Sequence, residues 1–158
     1  MKAIEVKDEW ARAGVYYVRT EAMVLGFNLN LEGEFSGDGR DSEYILVTDD
    51  NGKPLSTNRI HVLPDKGYAK IERVATVSYA RKIGAGKFGI EAAEKVIYEK
   101  GYRKIVITSR EEAAGFYEKL GYKIRKDMNP DTLEPYKEGE TLRVRDPRFI
   151  CVYMEKEL

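Results

Sequence analysis

Arg81-Lys82-Ile83-Gly84-Ala85-Gly86-Lys87 joins a stretch of strand character to one of helical character. Upstream, residues 68–79 are rich in Ile, Val and Thr. Downstream, Ile90, Ala93, Val96 and Ile97 recur at helical spacing, and Gly101 stops the run. Glycines let the backbone turn tightly and let a ligand approach it closely. The first N–H groups of a helix have no partner within it, and the positive end of the helix dipole lies at the same place. Such a turn suits an anion, and Arg81, Lys82 and Lys87 add mobile positive charge around it. A pyrophosphate fits this chemistry. The spacing R-x-x-G-x-G is not the G-x-x-x-x-G-K-[ST] of a nucleotide-hydrolysing loop. Gly84, Gly86 and Gly89 do read as G-x-G-x-x-G. A dinucleotide turn, however, follows the first strand of a βαβ unit and has an acidic residue closing the second strand. Here the next strand, 104–108, ends in Thr108-Ser109. For the turn taken alone, a glycine-rich helix start with no ligand stays open.

Working outward, three strand signals precede the turn. Residues 44–48 are a short apolar run, Asp50-Asn51-Gly52 is a hairpin signal, and 55–63 follow with β-branched and apolar residues. Pro64-Asp65-Lys66-Gly67 is a second turn signal before 68–79, so an antiparallel meander is predicted. Before it, residues 2–7 alternate like a strand. Asp8 is placed to cap a helix running to about Leu25, with Ala11, Val15, Val18 and Ala22 on its inner face. Residues 28–43 read as loop with a short helix. After the turn, Ser109 and Glu112 have capping-box spacing for a second helix, whose inner face is Ala113, Phe116, Tyr117 and Leu120. Residues 122–126 read as strand, 127–147 as a long polar loop and 148–154 as a last strand. The order β-α-β-β-β-α-β-α-β-β predicts an α/β or α+β layered architecture.

Composition narrows the function classes. The 158 residues argue for one domain over 1–158, burying roughly 70% of the surface of the unfolded chain. Hydrophobic residues are 42% and charged residues 34%, enough for a core. Lys plus Arg number 27 and Asp plus Glu number 27, so the basic footprint of a nucleic-acid-binding domain is absent. No apolar run approaches the ~18 residues of a membrane span, and Met1 to Trp10 hold no apolar signal core. A soluble, cytoplasmic protein is expected, with neither a nucleic-acid nor a membrane partner. Cys151 is the only cysteine and His61 the only histidine, which excludes an intrachain disulfide, a two-His metal site and a zinc–thiolate cluster.

A second constellation, Ala113-Ala114-Gly115-Phe116-Tyr117-Glu118-Lys119-Leu120-Gly121-Tyr122, follows the turn. Together the two resemble the GNAT N-acetyltransferases, whose motifs are [RQ]-x-x-G-x-[GA] after the fourth strand and A-x-x-F-Y-x-x-x-G-[FY] on a later helix. The resemblance covers nearly the whole chain. Val18-Arg19, then Glu34, Asp38 and Asp41, then Ser56-Thr57-Asn58-Arg59, then Ile71-Glu72-Arg73-Val74-Ala75, look like its ElaA-like branch. Three places depart from that branch. Ala22-Met23-Val24-Leu25-Gly26-Phe27 replaces a V-F-V-x-E-Q stretch, Ser109-Arg110 replaces an Ala-Gln pair, and Phe149-Ile150 replaces a His-Ile.

The resemblance implies the GNAT acyl-CoA N-acyltransferase fold, a mixed, mostly antiparallel central sheet flanked by helices. It implies acetyl transfer from acetyl-CoA to a primary amine by direct attack on the thioester, with no covalent enzyme intermediate. Val74, Ala75 and Thr76 would offer main-chain groups to the pantetheine arm and thioester, where the fourth and fifth strands splay apart. Arg81, Lys82, Ile83, Gly84, Ala85, Gly86 and Lys87 would hold the pyrophosphate. Tyr117 would lie near the cofactor sulfur as general acid; without the turn it is one more aromatic on an apolar helix face.

The acceptor amine must be neutral to attack, which calls for a base or a water relay. Glu72, two residues before Val74 on a strand and so expected on the same face, is the first candidate; a salt bridge is the alternative. His61 is a second candidate, with a structural role as its alternative. Glu34, Asp38 and Asp41 make an acidic loop that attracts a cationic substrate or is simply solvated. Arg19 grips a substrate carboxylate or belongs to an ion pair. Cys151 reads as packing. The 126–147 loop, with Tyr136, is expected to cover the acceptor side. A small amine or a peptide N-terminus is the expected partner, and a homodimer is expected by resemblance. The competing readings are a non-catalytic acyl-CoA binding or sensor module, and a pairing domain whose turn binds nothing.

Overall fold

The computed structural model describes residues 1–158. The hairpin signal forms as its residues require. Gly52 takes φ +83°, and the Asp49 carboxylate accepts from the Asn51 and Lys53 N–H groups, each at 2.9 Å. This turn joins β2 (Glu43–Thr48) to β3 (Pro54–Leu63). Pro64–Lys66 makes one 3-10 turn, closed by left-handed Gly67, before β4 (Tyr68–Thr76). β1 (Lys2–Glu5) pairs with β2, so the first four strands are an antiparallel meander.

The chain then crosses over through α3 (Ala85–Glu99) to β5 (Lys104–Arg110), which runs parallel to β4. β9 (Cys151–Glu157) and the short β6 (Lys123–Ile124) complete a seven-stranded sheet in the order β1-β2-β3-β4-β5-β9-β6. This mixed, mostly antiparallel sheet flanked by helices is the expected architecture.

The remaining helices are α1 (Glu9–Arg19), α2 (Leu31–Phe35) and α4 (Ala114–Glu118). Two glycines show how the long helices sandwich the sheet. A Cβ on Gly14 of α1 would lie 2.8 Å from Leu46 Cδ2, and one on Gly89 of α3 would lie 3.2 Å from Val47 Cγ2. Neighbouring strand residues point to opposite faces, so α1 covers one face of β2 and α3 the other. The predicted inner faces are buried: Ala11, Val15, Val18 and Ala22 on one helix, and Ile90, Ala93 and Ile97 on the other. Each fully buried Ile or Val there contributes roughly 1.5–3 kcal/mol. No helix is long and apolar enough to cross a membrane.

Several local expectations are corrected. Asp8 holds the N-cap position, but its side chain caps nothing, and the first helix turns π-helical over Thr20–Leu25. The Ser109–Glu112 capping box does not form. Ser109 and Arg110 are held in the ladder opposite Val152 and Cys151, so the strand outlasts the cap. A 3-10 turn, Glu111–Ala113, then leads into a five-residue α4 that buries Ala114 and Tyr117 while Phe116 stays exposed. The strand expected over 122–126 shrinks to β6. The last strand starts at Cys151, because Asp146 caps a 3-10 turn at Pro147–Phe149. The long loop holds a small hairpin of β7 (Met128–Asn129) and β8 (Glu134–Pro135).

Candidate active site

β4 and β5 pair through only two residue pairs, Ala69 with Ile105 and Lys70 with Val106. Beyond them the strands share no ladder. A cleft of about 450 Å³ lies between residues 70–74 of β4 and 107–110 of β5, closed by Ala113 and Tyr117 on one side and by Met23 and Phe149 on the other. The expected splay is thus present. A bulge in β4 sharpens it. Thr57 faces Ala75, while Arg59 faces Glu72, so Arg73 and Val74 together oppose Asn58. Arg73 takes φ +51°, a left-handed conformation rare outside glycine. The bulge inverts the alternation, so the expectation that Glu72 and Val74 share a face by simple spacing is corrected. They both line the cleft all the same, because it runs along the edge of β4 where β5 parts from it.

The glycine turn sits beside the far end of β4. Gly84 is left-handed at φ +86° and precedes α3. The first helical bond runs from the Phe88 N–H to the Gly84 carbonyl at 2.9 Å, which leaves the N–H groups of Ala85, Gly86 and Lys87 free of helical partners. A Cβ on Gly86 would lie 3.4 Å from both Thr76 Oγ1 and Phe116 Cζ, so the turn is packed directly on β4 and α4. Arg81, Lys82, Ile83 and Lys87 are exposed around it, and Ala85 is buried. Ala75 is buried, and Thr76 Oγ1 lies 3.0 Å from Ser56 Oγ. Gly89, the last glycine of the G-x-G-x-x-G spacing, serves packing: its carbonyl accepts from Asn58 Nδ2 at 3.0 Å.

Tyr117 lines the cleft and is 7% exposed. Burial raises its phenol far above the ordinary value, and the Arg110 charge opposes this only in part. Its ring packs edge-on against Phe116 and Tyr122. Glu72 also lines the cleft. Its Oε2 accepts from Arg59 Nη2 at 2.6 Å and Nε at 3.0 Å, and its Oε1 lies 3.1 Å from His61 Nδ1. Burial pushes this carboxyl up, but Lys70, Arg59 and His61 outweigh it and hold it below the usual range. Glu72 is therefore an ionised, weakly basic carboxylate. His61 is half-exposed on β3 and meets the site only through Glu72.

Arg19 and Glu34 are held by each other and by Asp38. The Arg19 side chain is 1% exposed, and it donates to Asp38 at 2.6 and 2.9 Å, to Glu34 Oε1 at 3.2 Å and to the Glu34 carbonyl at 2.8 Å. Asp38 also accepts from the Tyr44 hydroxyl and pairs with Arg59 at 3.0 Å. Burial pushes Asp38 up, yet Arg19, Tyr44 and Arg59 bring it down to about 2. Arg19 thus serves an internal ion network, which reaches the cleft through Arg59 and Glu72, while Glu34 belongs to that network and also lines the groove beside the cleft with Arg73 and Phe149. Asp41 stays exposed in its loop. The 126–147 loop is also displaced from its expected place. Tyr136 lines a second cavity of about 500 Å³ with Cys151 and Gly115. Only Asp146 from that loop reaches the groove adjoining the cleft, beside Arg73 and Phe149. Cleft residues that sequence reasoning missed are Lys70, Arg73, Arg110 and Phe149. Two of them, Arg110 and Phe149, stand at the positions that depart from the ElaA-like pattern.

Comparison with known proteins bears on this geometry. The acetyltransferase (GNAT) family model matches residues 6–122. YjcF of Bacillus subtilis, an uncharacterised N-acetyltransferase, is 32% identical over 124 residues, 78% of this chain and 86% of that protein. A Lactobacillus plantarum structure assigned as an N-acetyltransferase superposes with a TM-score of 0.80 at 25% identity, covering 99% of this chain and 97% of that one. Escherichia coli ElaA superposes with a TM-score of 0.73 at 14% identity over 99% of each chain, a likeness of fold.

Proposed function

Because the chain belongs to the acetyltransferase (GNAT) family, we propose that it binds acetyl-CoA across the α3 turn and the β4–β5 cleft and moves the acetyl group directly to a primary amine. The observation that carries this reading is the junction of Gly86 and Thr76: free helix-start amides and the unzipped edge of β4 meet there within contact distance. The residues fit the group. The amides of Ala85, Gly86 and Lys87, with the side chains of Arg81, Lys82 and Lys87, suit a pyrophosphate, and Gly86 leaves room for one to approach. Acetyl-CoA, when bound, supplies a thioester carbonyl open to attack and a thiolate leaving group.

The chain's own residues then have separate tasks. Main-chain groups at Val74, Ala75 and Thr76, on the stretch of β4 that no longer pairs with β5, are the candidate donors to an oxygen that gains charge. One such donor is worth roughly 2.7–4 kcal/mol in a comparable site. Tyr117 keeps its proton at neutral pH because burial disfavours phenolate, so it is a hydrogen-bond donor to a departing thiolate. Arg110 is the nearby charge that eases proton release. Glu72, ionised and held by Arg59, orients the acceptor or a water more readily than it takes a proton. In balance, an N–C bond forms, the C–S bond breaks, the thiolate takes one proton, and the amine loses one to solvent.

Calorimetric titration with acetyl-CoA tests the reading. Stoichiometric micromolar binding is expected, weakened at least ~10-fold by Gly86→Val, whose branched side chain would crowd Thr76 and Phe116. No binding to a folded sample overturns it. Binding without thiol release for any amine would instead favour a non-catalytic acyl-CoA sensor.

A further inference from the structure

Every carboxylate around the cleft already has a hydrogen-bonded cation. Glu72 is held by Arg59, Glu34 by Arg19, and Asp146 by Arg148 at 2.8 Å. Three cations lining the same cleft have no hydrogen-bond acceptor in the chain. Lys70 Nζ is 3.6 Å from Glu72 Oε1, Arg73 Nη1 is 3.6 Å from Glu34 Oε2, and Arg110 Nη1 is 3.6 Å from Glu112 Oε2. All three distances lie beyond a hydrogen bond, and each acid is either committed elsewhere or, for Glu112, largely exposed. Lys70 is the most telling, since its side chain is only 13% exposed. A shielded cation whose only counter-charge is a long ion pair to an acid already taken by Arg59 has its hydrogen-bond donors left over for an anion.

From this we infer that the acceptor amine carries an anionic group, a carboxylate or a phosphate ester, which Lys70, Arg73 and Arg110 bind. The inference rests on the acetyltransferase reading and narrows its substrate class. The guanidinium forks of Arg73 and Arg110 suit two oxygens of such a group, and Lys70 adds a point charge deeper in the cleft. The same surplus of positive charge disfavours an ammonium, so it also shifts the bound amine toward the neutral form that can attack. Polyamines and aminosugars, which bring only positive charge, are repelled. Arg110 sits where the ElaA-like pattern has Gln, so this cation distinguishes the chain from that pattern.

The test uses the full chain, with and without saturating CoA, and ligand-observed NMR binding of three matched sets. These are the twenty common amino acids with their carboxamides, O-phosphoethanolamine beside ethanolamine, and the diamines putrescine and cadaverine. Thiol release with acetyl-CoA is measured on the same panel. Acids or the phosphate ester are expected to bind at least ~10-fold tighter than their neutral counterparts, and the diamines not at all. Lys70→Met and Arg110→Gln should each remove that preference while the acetyl-CoA dissociation constant stays within about twofold. The carboxylate and phosphate arms show which anion is meant. Equal binding of acids and carboxamides, diamine binding, or no binding of any anionic member overturns the inference. A failed acetyl-CoA titration removes the enzyme reading alone, because the anion arm is read without cofactor too.

Discussion

Tyr117 illustrates how burial sets a residue's chemistry. In water a phenol and a thiol differ by about 1.5 pKa units, and the cleft widens that gap by raising the phenol. Full proton transfer to a thiolate is therefore uphill, whereas hydrogen-bond donation as the C–S bond breaks is not. Tyr117→Phe should lower kcat by about 10²-fold, within the range for a lost general acid, and leave the acetyl-CoA dissociation constant within twofold. Slowed thiol release with unchanged binding is the signature; unchanged kcat removes the role. Asp38 makes the opposite case, a carboxyl held at about 2 by Arg19, Tyr44 and Arg59. Its native pKa lies below the ~3.9 of an unfolded Asp, so the stability it contributes is full above pH 4 and is lost as pH falls toward 2. Asp38→Asn should destabilise by about 3 kcal/mol at pH 7, because buried Arg19 and partly buried Arg59 lose a counter-charge. In denaturant melts the deficit against the unsubstituted protein should shrink between pH 4 and pH 2.

At the scale of elements, the bulge in β4 does most to shape the site, and it was not legible in the sequence. The glycine turn and the Phe116-Tyr117 helix were legible because each depends on a few neighbouring residues: a left-handed Gly84, a free helix start, an aromatic pair. The bulge has no such mark, since its left-handed residue is Arg73. The pairing of Arg19 with Glu34 was not legible for a related reason. It spans 15 positions and depends on how α2 folds back over α1, which no local spacing encodes. Ser109 shows tertiary pairing overriding a local signal, since its capping-box spacing loses to the β5–β9 ladder. Arg73 also gives a test with two opposed readouts. A non-glycine residue in the left-handed region costs of order 1 kcal/mol, so Arg73→Gly should raise stability by about that amount. If Arg73 is kept for its charge, the same substitution should weaken binding of the anionic acceptor. A gain in stability with unchanged acceptor affinity would leave the strain without a binding role.

Across the whole molecule, the sheet is two blocks. β1 to β4, clasped between α1 and α3, form one, and β5, β9 and β6, with α4 against them, form the other. Within each block the long strands pair extensively: β5 and β9 match over seven residue pairs, while β4 and β5 match over two. The seam between blocks is thus a sparsely hydrogen-bonded line between two long strands, and it is where acetyl-CoA is proposed to lie. A ligand that uses the free edge of β4 and the start of α3 adds the connections the sheet lacks. At a hundred times its dissociation constant it should stabilise the fold by ~2.7 kcal/mol. For a chain of this size that corresponds to a Tm rise of about 5–10 °C. Amide hydrogen exchange locates the effect. Residues 74–76 and 85–87 should slow strongly, residues 107–110 less, and the β2–β3 ladder little, because it already lies inside one block. Slowing confined to 85–87 would mean that the turn holds phosphate while the arm of the cofactor lies outside the cleft, and the roles given to Val74, Ala75, Thr76 and Tyr117 would fall together.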